Sequence, residues 1–310
     1  MKKMINRTHI EGLLYQHSLE LKTSGDNSKN PGTQFITGTV EIATDNAMLN
    51  IVPVHFTYVT AVTSNGKENA SFTTLSNIIN GVIGNIMKHG VEKAGMIRID
   101  SAIGLNEFYT DRNGKEELVS AKRNEGGFIH LANALDEDEN THNTFECDML
   151  ITGTTHVEAD EERNLPEKAI VKGYIFNFRN DIMPVEFSVL NPRAISYFEG
   201  LEATQKEPVF TRVKGRQVSQ TIVNRIEEES AFGEPSVREV KNVRKDFVIT
   251  WAMSDPYTWD EIDVLTANEV TTALANRETM LATIKQRQDE YKASKGRPAA
   301  APAATSGFNF

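Results

Sequence analysis

The sequence predicts a mainly β chain: two tandem five-stranded Greek-key barrels with short helices, followed by a C-terminal amphipathic helix. Three observations carry this expectation. Residues 30–62 hold two long runs of period-two alternation joined by the polar turn Thr44-Asp45-Asn46, the pattern of strands with one buried face and one wet face. The same strand–turn–strand order returns from Lys168 to Leu190 around Arg179-Asn180-Asp181, with Pro184 near the start of its second strand as Pro53 is in the first copy. Each copy is then followed by a short helical stretch. Long strand, strand, strand, helix, strand, strand, read twice, is the order of the OB-fold.

Taken in order, Asn6 to Lys22 reads as the first strand, and Gly12 within it marks the tight bend that a small barrel needs. Thr23 to Gly32 is a loop by its turn residues. In the strand that follows, Gln34, Ile36, Gly38, Val40 and Ile42 share one face, and Phe35, Thr37, Thr39 and Glu41 share the other. In Ile51 to Val62, Val52, Val54, Phe56 and Tyr58 alternate with Pro53, His55, Thr57 and Val59. Leu75, Ile78, Ile79 and Val82 then lie at helical spacing. Met96 to Ala102, continued by Leu105 to Tyr109, is the fourth strand, and Asn113-Gly114 is a hairpin turn into a fifth, Leu118 to Leu131.

The acidic run 136–139 marks the join, which places the first barrel at residues 1–140 and the second at 141–255. Phe145 to Val157 opens the second barrel, with Gly153 inside it. Asn191 as N-cap, Pro192 at the first helical position and Gly200 past the end bound its helix. Val209 to Val223 is its fourth strand, residues 227–235 a loop, and Phe247 to Trp251 the closing strand. The period then changes. Thr266 to Glu269 is a capping box, and Val270, Leu274, Leu281 and Ile284 form an apolar stripe that defines the helical segment 256–294. Residues 295–310, rich in Gly, Pro and Ala and ending in Phe308-Asn309-Phe310, read as a disordered tail.

At 310 residues the chain is long enough for two such cores, and its net charge of −10 argues against a strongly basic, non-specific duplex binder. Cys147 is the only cysteine, which excludes a disulfide framework and a cysteine-cluster zinc site and fits a reducing cytoplasm. No apolar stretch reads as a membrane span, and the first residues lack the apolar region of a signal peptide. The seven histidines fall on different elements without ligand spacing, and Gly81-Val82-Ile83-Gly84 and Gly126-Gly127 lack the Lys-Ser/Thr of a phosphate loop. No catalytic residue, cofactor or metal is therefore expected.

Aromatic and basic side chains interleaved on strands are the remaining signal, because single-stranded nucleic acid is held by stacking bases on rings while cations track its phosphates. Phe210, Arg212, Lys214 and Arg216 alternate with aliphatic residues on a strand that carries no acid between Val209 and Val223. In the first barrel Phe35 sits on the polar face of its strand, and Tyr15, Arg98, Lys122 and Arg123 are candidates to join it. Read without a ligand, each of these residues is ordinary solvated surface.

Asn6-Arg7-Thr8-His9-Ile10-Glu11-Gly12, then Ile51 to Phe56, a helix, and a strand near Met96 resemble the first strand, third strand, helix and fourth strand of the bacterial and phage single-stranded-DNA-binding proteins. The resemblance covers the first barrel by motif and the second by pattern only. It implies a non-enzymatic, phage-encoded protein that coats unwound DNA in replication or recombination, in the host cytoplasm, with single-stranded DNA as partner. It also implies docking of replication or recombination proteins on the tail, where Phe308 and Phe310 keep an apolar tip although no acid follows Glu290. Two barrels per chain depart from the usual single one. An oligomeric assembly module without nucleic-acid binding, and a metal-dependent nuclease or accessory factor, are the other readings the residues leave open.

Overall fold

The computed structural model describes residues 3–26, 28–112, 115–160, 165–228, 236–258 and 266–295. Six strands come first: β1 (Asn6–His17), β2 (Glu20–Thr23), β3 (Gln34–Ala43), β4 (Ile51–Thr60), β5 (Met96–Arg112) and β6 (Lys115–Leu131). Five follow: β7 (Asn143–Val157), β8 (Lys168–Phe176), β9 (Ile182–Val189), β10 (Val209–Glu228) and β11 (Ser236–Ala252). The helices are α1 (Ala70–Ile79), α2 (Ile86–His89), α3 (Pro192–Gly200) and α4 (Ala267–Lys295), with a 3₁₀ turn at Val91–Lys93.

The strands form one sheet of order β10-β11-β9-β8-β7-β1-β5-β6-β4-β3-β2, and the extra pairings β10–β7 and β1–β3 close it into two rings. Ring one is β1-β3-β4-β6-β5 and ring two is β7-β8-β9-β11-β10. Within each ring the neighbours run first, second, third, fifth, fourth and back to first in chain order. The β1–β7 ladder, Asn6 opposite Cys147 through Ile10 opposite Asn143, joins them.

Alternation places each core as the residue pattern requires. Ile10, Leu14, Val40, Ile42, Val54, Phe56, Ile97 and Ile99 fill ring one beneath Leu75 and Ile78 of α1. Phe145, Met149, Val171, Phe187, Val189 and Ile249 fill ring two beneath Ile195 and Phe198 of α3, and Ile103 of β5 belongs to this same cluster. A third cluster, Met4, Leu150, Phe176, Ile182 and Phe210, lies outside ring two and is covered by Val270 and Ala273 of α4. Two N-caps match the sequence, Asn191 accepting from the Arg193 N–H at 2.9 Å and Thr266 from the Glu269 N–H at 3.3 Å. Asn69 caps α1 by accepting from the Ser71 N–H at 3.1 Å, and Gly200 is not past the end of α3 as expected but its last residue, with Leu201 as the C-cap.

Several sequence expectations need correction. The first strand does not run unbroken to Lys22. It ends at His17, and β2 restarts against β3. The break is local: Ser18 donates to the Thr39 carbonyl at 2.9 Å, and a Cβ at Gly38 (φ +128°) would lie 2.3 Å from the Ser18 carbonyl oxygen, so only glycine lets the two segments approach. Gly12 has the expected role, since a Cβ there would meet the Ala43 oxygen at 2.0 Å where β1 passes from β5 to β3. In the β3–β4 ladder Ile36 pairs with Val59 but Gly38 with Phe56. β4 thus contains one extra residue, and the bulge turns Val59 toward the core and leaves Tyr58 47 % exposed. The hairpin arms are longer than the aliphatic pattern indicated: β10 continues to Glu228 and β11 starts at Ser236. The turn Asn113-Gly114, part of the 227–235 loop and the tail 296–310 lie outside the described residues.

Glu11 lies on the face of β1 opposite the core residue Ile10, is buried there, and holds three parts of the chain. It accepts from Arg98 Nε at 2.6 Å and from the Asp136 N–H at 2.8 Å, and His142 Nε2 lies 3.5 Å away. Burial pushes its carboxyl up, but the Asp136 N–H, the Arg98 guanidinium and His142 outweigh it, so its pKa falls below the usual carboxylate value. A depressed carboxylate pKa contributes stability above the unfolded value of about 4.3, and this is lost as pH falls through the folded value. Glu11→Gln should therefore cost about 3 kcal/mol in urea unfolding at pH 7, by leaving a guanidinium without its buried partner. The cost should shrink below about pH 4; an equal cost at both pH values would show that the pair does not carry it.

Candidate nucleic-acid interface

The bulge in β4 creates the first aromatic surface. Tyr58, turned outward, packs on Phe35 of β3 with ring centroids 4.5 Å apart and planes at 32°. Its hydroxyl lies 3.1 Å from Ser24 Oγ, and Lys22 stands opposite Phe35 in the β2–β3 register. Nearby, His55 is 3.2 Å from Thr39 Oγ1. Burial and Arg123 push the His55 pKa down against a smaller opposing effect of Glu125.

Tyr58 also lines a cleft of about 860 Å³ between the rings, together with Phe128 of β6 and Phe178 of the β8–β9 turn. Phe128 is 77 % exposed and Phe178 73 %, well beyond what core packing leaves on large aromatics. The Arg179 guanidinium lies over the Phe178 ring at 5.0 Å. Lys3 stands at one side of this cleft, and Met280 of α4 contributes to its wall. That wall is held by the Arg277–Glu107 ion pair at 2.6 Å, whose side chains are both nearly buried. Gln288 reinforces it by accepting from the Tyr109 N–H at 2.9 Å and donating to the Tyr109 carbonyl.

A second groove of about 940 Å³ crosses β1, β7, β10 and β11 and shares Asp100 and Ser101 with the first. Arg7, Lys214, Arg216 and Trp251 line it. Lys214 Nζ sits 4.9 Å above the half-exposed Trp251 ring and 3.6 Å from Glu146. Arg7 Nε donates to Glu146 at 2.9 Å, and Arg216 donates to Asn140 Oδ1. Burial raises the Glu146 pKa, but Arg7, Lys214 and Arg212 more than offset this and hold it below the usual range. The groove thus offers a flat indole and three cations, two of which already share a carboxylate.

Phe35, Lys214 and Arg216 are therefore the sequence candidates that the fold brings to this surface. Arg98 serves Glu11, and Arg212 donates to the buried Asp148 at 2.8 Å. Arg123 donates to Glu125 at 2.9 Å. Lys122 donates to the Glu186 carbonyl and lies 5.2 Å over the Phe187 ring and 5.4 Å over Phe247, so it ties β6 to ring two. Burial lowers its pKa against the opposing charges of Asp246 and Glu186. Tyr15 is half-buried at an irregularity of β1 and lines neither cleft. Phe308 and Phe310 lie outside the described residues.

Phe210 is a correction. Its alternation with Thr211 and Val213 put it outside ring two, and it is outside, yet only 3 % exposed. Phe176 at 6.2 Å and Tyr257 at 5.0 Å enclose its ring, and the α4 residues Val270 and Ala273 pack against the same cluster. The residues that sequence reasoning missed are Arg7, Tyr58, Phe128, Phe178 and Trp251. An aromatic at a hairpin turn beside arginine was a visible signal for Phe178. For Tyr58 the bulge removed the signal.

Among the described residues no group of three His, Cys, Asp or Glu is placed to hold a metal, and no helix is long and apolar enough to cross a membrane. Urea unfolding checks the two aromatic environments: Phe210→Ala should cost about 3–5 kcal/mol and Phe128→Ala under about 1 kcal/mol. Equal costs would refute this division between core and surface.

A family model described as YorF matches residues 4–287. No curated protein matches the sequence. Solved structures similar to the chain include two crystal structures of the single-stranded DNA binding protein from Thermus aquaticus. A deletion mutant is 10% identical with a TM-score of 0.44, the likeness covering 84% of this chain and 99% of that one. The wild type is 12% identical with a TM-score of 0.42, covering 83% and 94%.

Proposed function

The chain belongs to the YorF family, and we propose that it is a non-enzymatic single-stranded-DNA-binding protein whose two rings are OB-type barrels. The observation that carries this reading is the run of exposed rings, Tyr58, Phe128, Phe178 and Trp251, along two clefts that meet at Asp100 and Ser101 and include Arg7, Lys214 and Arg216. Every base has a π-face, so such a run binds single strands without reading sequence, each stack contributing about 1–3 kcal/mol. A duplex keeps its bases stacked inside and has no use for these rings. Its stronger phosphate field would also meet a chain of net charge −10. The protein would coat unwound DNA during replication or recombination.

Because Glu146 already neutralises part of the groove, stacking should dominate over charge. The slope of log K against log salt is about −0.7 per phosphate contact on single strands, so Arg7, Lys214 and Arg216 of one cleft with Lys3 and Arg179 of the other allow roughly −3.5. An oligo-dT titration followed by the fluorescence of the two tryptophans, Trp251 and Trp259, should give a slope no steeper than this. Phe128→Ala and Trp251→Ala should each weaken binding by about 1–3 kcal/mol with the slope unchanged; for Trp251→Ala the readout is anisotropy of labelled DNA. Glu146→Gln should strengthen binding and steepen the slope by freeing Arg7 and Lys214. Unaltered affinity in both aromatic variants would sink the reading and favour the assembly-module alternative.

A further inference from the structure

Stacking is indifferent to which base is stacked, but one side chain where the two clefts meet is not. The strand registers set out a row across the sheet. Phe128 of β6 stands opposite Asp100 of β5, Asp100 opposite His9 of β1, His9 opposite Thr144 of β7, and Thr144 opposite Arg216 of β10. None of these five residues is buried, and paired residues share a face, so the row lies on the solvent side of the sheet. Asp100 and Ser101 line both clefts, so a strand that passes from one cleft to the other crosses the row at Asp100. Neighbouring strands are about 4.8 Å apart, which puts a base stacked on Phe128 one spacing from Asp100 and about 19 Å from Arg216.

The charges around Asp100 decide what it can take. His9 Nδ1 lies 2.7 Å from Asp100 Oδ1, and a carboxylate only accepts, so the imidazole donates. On its other side His9 Nε2 lies 3.6 Å from Glu11, which is held by Arg98 and the Asp136 N–H. Of the other acids lining the aromatic cleft, Glu107 is paired with Arg277 and Glu125 with Arg123, and Asp181 accepts from Asn177. In the groove Glu146 is shared by Arg7 and Lys214. The Asp100 side chain is still 56% exposed, and its two oxygens have lone pairs for further donors beside His9. A phosphate at this point would meet like charge, whereas Lys3, Arg7, Lys214 and Arg216 on the two flanks attract it. The partner that suits Asp100 is therefore a base edge that carries donors. Guanine has two adjacent ones on its Watson–Crick edge, N1–H and the 2-amino group, matching the two oxygens of a carboxylate. Cytosine and adenine set one amino donor beside a ring-nitrogen acceptor, and thymine sets one N–H between two carbonyls, so each turns a lone pair toward the carboxylate.

We infer that Asp100 is a specificity-determining residue, and that the base stacked on Phe128 at the crossing between the clefts is guanine in preference to the other three, read on its Watson–Crick edge. The inference rests on the single-strand reading above. Its test compares, by anisotropy with the full-length protein, labelled oligo-dT with the same oligomer carrying one central guanine, 7-deazaguanine, hypoxanthine, adenine or cytosine. A bound strand can slide until that base reaches Phe128. The guanine oligomer should bind about tenfold more tightly than oligo-dT, and 7-deazaguanine, which keeps the same Watson–Crick edge, should match it. Hypoxanthine lacks the 2-amino donor and should lose most of the gain. Adenine, a purine of similar stacking area, should gain little, as should cytosine. Asp100→Asn should remove the difference between the guanine and thymine oligomers; should that variant not fold, the base analogues test the same contact in the unaltered protein. Guanine binding no tighter than adenine or hypoxanthine, or a guanine preference that survives Asp100→Asn, would overturn the inference and leave single-strand binding standing. No binding of any oligomer would remove both.

Discussion

Strand β1 is hydrogen-bonded to three partners, and the arrangement of the molecule follows from how they divide it. Residues Thr8 to Ile10 are paired on both edges, to β5 on one side and β7 on the other. From Leu13 onward the strand turns to β3 and closes ring one, a change of neighbour that Gly12 makes sterically possible. Ring one therefore does not meet ring two as a separate body; its first strand is also a strand beside β7. The Asn6 side chain reinforces the seam, donating to the carbonyls of Ile103 and Phe176 at 2.9 and 3.0 Å and accepting from the Ile103 N–H at 3.0 Å. Asn124 and Gln217, both buried, exchange amide hydrogen bonds at 2.8 and 2.6 Å between β6 and β10. Buried amides satisfied by each other are costly to separate, because each would be left unpaired. Both clefts lie along this seam, so their width depends on it.

Most cations near the seam have structural duties. Arg98 and Arg212 neutralise the buried carboxylates of Glu11 and Asp148, and Lys122 spends its charge on a carbonyl and two rings of ring two. What remains toward solvent is modest in charge and large in flat apolar surface. In an acidic chain this balance favours ligands that present rings over ligands that present only phosphates.

How far the sequence could be read follows the same physics. Alternation reports which residues share a side of a strand, and that was enough to place β3, β4, β8 and β9 and both ring cores. It does not report whether the other side is covered. Phe210 was therefore misjudged, because its cover comes from Tyr257 and from α4 residues 60 or so positions away in sequence. Tyr58 was assigned to the wrong face because a bulge shifts the phase without changing residue types. The outer parts of β10 and β11 pair with each other, but Val237, Val240 and Val243 recur at three-residue rather than two-residue spacing, so alternation did not reveal the start of β11. The clefts arise from the β1–β7 ladder, a contact between strands far apart in sequence, and Arg7 and Trp251 become neighbours only through it.

Helix α4 has a consequence for synthesis. Its first turns cover the Phe210 cluster of ring two, while Arg277, Lys285, Gln288 and Lys292 grip Glu107, Tyr109 and Glu116 on the long hairpin of ring one. Both barrels are translated before it, and domains generally fold in order as they emerge from the ribosome. On the ribosome the two rings would therefore pass through a stage in which the Phe210 cluster is bare and the ring-one hairpin has no brace. Emergence of α4 ends that stage, and with Met280 it completes one wall of the aromatic cleft. A nascent chain acquires its finished aromatic cleft only after both barrels are already made.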